Sequence, residues 1–153
     1  MGKDMNAPSK PQTEQQARHS LMQKCGNNRH ELLQLYAELE MLLSNGLFSA
    51  DATIAKTPAD ARTFGKKLQL ARETDQEFEG HADLGTLRNL LAHAKIDVMT
   101  ANEERYVVLR VADVDSGKNA RIIAERDWAE IFNKWRDMLS AASTAAGNLK
   151  ARR

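Results

Sequence analysis

One stretch of this chain concentrates the side chains that chemistry needs: Arg88-Asn89-Leu90-Leu91-Ala92-His93. A guanidinium presents paired N–H donors that fit a phosphate, and an imidazole takes or gives a proton near neutral pH. With an amide between them, these groups suit cleavage of a phosphodiester without a metal. His93 would move the proton, and Arg88 would stabilise charge on the phosphoryl oxygens. RNA carries its own nucleophile in the 2′-OH, so no nucleophilic side chain is required. Residues 88 and 93 lie about 140° apart around an ideal helix and roughly 7.5 Å apart along it. They do not share a face. Either the helix ends or bends between them, or a second chain across a two-fold axis completes the site. The plainer alternative has Arg88 in a salt bridge and His93 as a cation at a helix C-terminus.

Other candidate groups are weaker. The four histidines, His19, His30, His81 and His93, include no pair at i, i+4, so a helical zinc pair is absent. Glu77, Glu79, His81 and Asp83 read as an acidic helix start favoured by the helix dipole, with a metal site as the alternative. Gly80 and Gly85 are isolated and make no phosphate-binding loop. No G-x-S-x-G elbow occurs. The chain's one cysteine, Cys25, excludes an internal disulfide and a thiolate metal cage, and suits a reducing compartment. Lys24 beside it favours the thiolate, but a lone Cys at a helix end reads as inert. No metal or cofactor is expected. Arg62, Lys66, Lys67 and Arg72 can line one helical face and touch RNA, or simply be solvated.

Composition narrows the function classes. The 153 residues carry 22 Lys+Arg against 21 Asp+Glu, a net charge of +1 that argues against tail-driven nucleic-acid binding. Aromatic residues make up 5%, too few for a base-stacking sheet or an aromatic-lined peptide groove. No apolar run approaches the roughly 20 residues that span a bilayer. The polar first thirteen residues lack the apolar centre of a secretory signal. A cytoplasmic protein without membrane association is expected.

Hydrophobic periodicity supplies the elements that must position the motif. Residues 1–13 read as a disordered lead. A first helix runs from Gln12 to Lys24 and stops at Gly26. Asn28 and Glu31 form a capping box that opens a second, with Leu32, Leu35, Tyr36, Leu39, Leu42 and Leu43 on one face and Asn45-Gly46 at its end. Thr57-Pro58 starts a third, whose inner stripe is Ala61, Phe64, Leu68 and Ala71, and in which Gly65 marks a close backbone approach. A fourth stripe, Leu84, Leu87, Leu90, Leu91 and Ala94, carries the motif. Tyr106–Val111 and Arg121–Ala124 then form a hairpin, about residues 105–125, around a turn-rich loop at 113–119. Asp127 and Glu130 cap a last helix that turns Trp128, Ile131, Phe132, Trp135, Leu139 and Ala142 inward. The expected architecture is mainly α. It is one bundle of four to five helices over residues 14–146, with one β-hairpin inserted before the last helix, and a frayed basic tail at 147–153.

At Arg88, Asn89 and His93 the sequence resembles the HEPN superfamily, named for higher eukaryotes and prokaryotes. Its hallmark is an Arg, four to six residues, then a His, usually with a polar residue directly after the Arg. The likeness extends over about residues 28–142: two long helices, a short connecting helix, the motif, and a final helix, with the hairpin as an insertion. The resemblance implies a metal-independent endoribonuclease that acts as a homodimer, the motifs of two protomers meeting in one cleft. It implies Arg88 and His93 as catalytic and Asn89 as orienting them or holding the phosphate. Such proteins occur in toxin–antitoxin systems, phage defence and RNA processing, so a cognate antitoxin is a possible protein partner. A noncatalytic branch binds nucleotides, RNA or partner proteins. Independently of the family, the hairpin is a candidate for edge-to-edge pairing with another chain, with Tyr106, Val108 and Arg110 on one side.

Overall fold

The computed structural model describes residues 13–48, 63–74, 83–111 and 120–149. Its elements are α1 (Glu14–Phe48), α2 (Phe64–Thr74), α3 (Leu84–His93), β1 (Ala94–Ala101), β2 (Glu104–Val111), β3 (Ala120–Ala124) and α4 (Glu125–Leu149). The protein is mainly α, with a three-stranded antiparallel sheet ordered β1-β2-β3.

Where a helix ends and a second begins was expected, α1 is one helix of 35 residues. Its start is a capping box at Thr13 and Gln16. The Gln16 N–H donates to Thr13 Oγ1 at 3.1 Å, and the Thr13 N–H to Gln16 Oε1 at 3.0 Å. Gly26 costs the helix up to about 1 kcal/mol relative to Ala, yet tertiary contacts carry the chain through it. Cys25 and Leu32 on either side are fully buried, and Trp128 Nε1 donates to Asn28 Oδ1 at 2.8 Å. Asn28 therefore anchors α4 instead of capping a new helix. At the far end, Gly46 is still helical and buried. A Cβ there would stand 2.9 Å from Leu149 Cβ, so α1 and α4 touch where both end. Contacts from Asn28–Trp128 to Gly46–Leu149 set the two long helices parallel.

The helix α2 opens on Thr63, whose Oγ1 accepts from the Lys66 N–H at 3.2 Å. The expected start at Thr57-Pro58 lies outside the described residues, as does Ala61. Phe64, Leu68 and Ala71 are buried as the spacing predicts. Among the described residues nothing stands within 4 Å of a Cβ added at Gly65, so the expected close backbone approach is not seen there.

The expected hairpin is present as β2 and β3, with Tyr106 opposite Ala124 and Leu109 opposite Arg121. Its loop lies outside the described residues. The unexpected element is β1, which follows α3 without a break: Ala94 begins a strand instead of ending a helical stripe. It pairs along its whole length with β2, from Ala94 opposite Val111 to Ala101 opposite Glu104. The β1–β2 turn is the two-residue pair Asn102 and Glu103, both at positive φ (51° and 64°), the left-handed geometry that matches strand twist in tight hairpins. The strand β2 is thus central, and the free edges belong to β1 and β3 among the described residues.

Ile96, Val98, Val107, Leu109 and Ile123 turn to one sheet face and join the helices' apolar residues in a continuous core. At one end of that face, Arg105 binds Glu125 at the start of α4 at 2.5 Å and Glu14 at the start of α1 at 3.4 Å. The paired carboxylates hold its guanidinium charged, raising its pKa further. The last helix starts at Glu125, two residues before the expected cap at Asp127, and buries Ala146 and Leu149. It therefore continues past residue 146, into the expected tail. Among the described residues, no helix is long and apolar enough to cross a membrane.

Candidate functional site

The motif lies on α3, ten residues whose Leu84, Leu87 and Leu91 are buried. That apolar stripe fixes the helix's rotation and so decides where the polar residues point. Arg88 and His93 go different ways. The Arg88 guanidinium lies 5.2 Å from the centre of the Phe64 ring and 4.0 Å from Glu40 Oε2, with 36% of the side chain exposed. Glu40 also binds Lys67 Nζ at 3.1 Å, and Lys67 is only 12% exposed. Beneath them, Phe64 meets Tyr36 edge-on at 5.4 Å, and Tyr36 donates its hydroxyl to Leu84 O at 2.8 Å. Burial pushes the Tyr36 phenol up, against the opposing charge of Arg88. Arg88 thus caps an aromatic and ionic junction between α1, α2 and α3.

Asn89 and His93, four residues apart, share the other exposed face of α3. They line an open groove of about 620 Å³ against the sheet, together with Thr86, Leu90, Val111 and Arg121. That volume falls within the roughly 300–1,000 Å³ typical of small-ligand sites. His93 is the last residue of the helix, and Arg29 of α1 pins the junction behind it. Its Nη1 donates to Ala94 O at 2.6 Å, neutralising carbonyl charge at the helix C-terminus. Arg29 thus ties α1 to the helix-to-strand turn directly after His93.

Within one chain, then, His93 and Asn89 converge on a groove and Arg88 does not join them. Neither Arg121, on an edge strand, nor Arg29, in the middle of a long helix, is marked by the sequence pattern. Of the proposed RNA-contacting basic residues, Arg62 lies outside the described residues. Lys66 is exposed, Lys67 is drawn onto Glu40, and Arg72 is half-buried. Glu77, Glu79 and His81 also lie outside the described residues. Among the described residues no group of three or more His, Cys, Asp or Glu is placed to hold a metal ion.

Cys25 is not at a helix end. It is fully buried inside α1, and burial pushes its thiol up to about 12, outweighing Lys24, with Glu125 adding to the rise. That environment suits a packing residue, not a nucleophile.

Compared with known proteins, the chain matches no family model, no curated protein and no solved structure.

Proposed function

We propose that this protein is a metal-independent endoribonuclease of the HEPN type that works as a homodimer, in a toxin–antitoxin or phage-defence setting. The observation that carries the reading is the Arg88-Asn89…His93 set, with Asn89 and His93 exposed at one groove. In the proposed reaction the 2′-oxygen of RNA attacks its own phosphorus as the 5′-oxygen leaves. His93 accepts the 2′-OH proton, and the leaving oxygen is protonated by an imidazolium or water. The product carries a 2′,3′-cyclic phosphate. Arg88 offsets charge on the phosphoryl oxygens after leaving Glu40 or by reaching the second protomer's groove.

The purified protein should cut single-stranded RNA in EDTA and leave cyclic-phosphate ends. His93→Ala should lower the rate by at least about 100-fold, the contribution usual for a positioned acid–base group, with an unchanged circular dichroism spectrum. Undiminished cleavage by that variant removes the proposal.

One observation favours a second reading, a noncatalytic dimerising module that binds a partner protein, nucleotide or RNA. Arg88 already has an anion and a ring to hold it within its own chain. Under this reading, wild type and the Arg88→Ala/His93→Ala double variant behave alike in RNA assays and in host growth on induction.

A further inference from the structure

We propose that Arg121 makes the His93 groove a phosphate-binding site, holding a backbone phosphodiester of single-stranded RNA beside the imidazole. The proposal rests on the ribonuclease reading for the identity of the ligand, but its own basis is the groove.

The first support is position. Arg121 stands opposite Leu109 in the sheet register, and Leu109 stands opposite Ile96. Leu109 and Ile96 are core residues, so Arg121 is on the inner sheet face, the one that meets the helices. It is an exposed charged residue at the end of that face opposite Arg105, and it lines the groove together with residues of α3. The second is orientation. The guanidinium sits over the Trp135 ring, 5.3 Å from its centre. Stacking of this kind restricts a long side chain and leaves its N–H edge free to donate. The third is charge. Among the described residues no carboxylate lines the groove and Arg121 has no acidic side chain in salt-bridge range. This contrasts with Arg88, Arg105 and Arg126, each of which faces one. The fourth is the opposite wall. Thr86, Asn89 and His93, at i, i+3 and i+7, present a hydroxyl, an amide and an imidazole along one line of α3. A guanidinium stacked on a ring and facing three hydrogen-bonding groups, above the apolar Leu90 and Val111, selects an anion with several acceptor oxygens. A phosphodiester held there lies next to the group proposed to take its 2′-proton.

The test uses the full chain and a fluorescein-labelled single-stranded oligodeoxynucleotide, which lacks the 2′-OH and stays uncut. Binding is read by anisotropy at low ionic strength, and RNA cleavage is read separately. Arg121→Gln should weaken oligonucleotide binding about tenfold or more. Arg121→Lys should recover part of it, since charge returns without the planar stack. Arg110→Gln, on the outer sheet face, should leave binding unchanged, and thermal unfolding should show all three variants folded. In cleavage, Arg121→Gln should raise KM more than it lowers kcat. Binding by Arg121→Gln equal to wild type overturns the proposal even if RNA is cleaved. Arg121-dependent binding without any RNA cleavage upholds the site and rejects the ribonuclease reading.

Discussion

Cys25 shows how far a residue's surroundings can reverse what its neighbours in sequence suggest. Lys24 favours a thiolate, yet burial dominates and the thiol is held protonated to about 12 from an ordinary 9.0. In the window between those values the native state binds more protons than the unfolded chain, so stability falls as pH rises. Tyr36, also raised by burial, acts in the same direction at higher pH. Two results follow. Native protein at pH 8 should not react with a disulfide reagent such as dithionitrobenzoate, and should react with one equivalent once denatured. Urea melts of Cys25→Ala should show a loss on the order of 1 kcal/mol at pH 7 and a shallower decline than wild type above pH 9. An equal slope would mean that other groups carry the alkaline loss. Residue types alone were enough to mark Arg88, Asn89 and His93, because their chemistry is written in the side chains. Arg121 was not legible. Ile122 and Ile123 are equally apolar, and nothing in the sequence says which one faces the core. The structure leaves Ile122 65% exposed and Ile123 buried, and that choice puts Arg121 on the groove side.

Among the elements, glycine gives the clearest contrast between propensity and packing. Gly26 and Gly46 both lie inside α1, and both read as helix stops. Among the described residues nothing stands within 4 Å of a Cβ added at Gly26. Gly26→Ala should therefore stabilise the protein by about 0.5–1 kcal/mol, the usual helical gain. At Gly46 the added Cβ meets Leu149 Cβ at 2.9 Å and Ala146 O at 3.1 Å. Gly46→Ala should destabilise by roughly 1–3 kcal/mol, because a backbone carbonyl cannot move aside as a flexible side-chain tip can. Thermal melts of the two variants should shift in opposite directions, and a stabilising Gly46→Ala would mean that α1 and α4 are less closely packed there. The same logic explains which elements the sequence revealed. Helices with regular leucines were plain, as were β2 and β3 with their β-branched runs. The strand β1 was hidden because Ala94 extends the preceding helical stripe and its turn uses Asn102-Glu103 without a glycine. Its alternation of Ala94, Ile96 and Val98 with Lys95 and Asp97 was the available signal.

For the whole molecule, the decisive fact is that α3 sends its guanidinium and its imidazole to different surroundings. Arg88 lies by Glu40 and Phe64, and His93 by Arg121. In the proposed dimer a two-fold axis can set one protomer's Arg88 beside the second protomer's His93, so each cleft is composite. Subunit mixing separates this from a site contained in one chain. Arg88→Ala and His93→Ala should each be inactive as homodimers. Unfolded together in equal amounts and refolded, they form heterodimers as about half of the population, each with one intact composite cleft of two, so roughly a quarter of wild-type activity should return. A site made within one chain regains nothing, because every protomer lacks one of its two groups. Mixing Arg121→Gln with His93→Ala makes the complementary comparison. Arg121 and His93 line one groove of the same chain, so that pair of variants should gain no such recovery. Recovery with the first pair and not with the second would assign Arg88 to act across the two-fold axis and Arg121 to act at home.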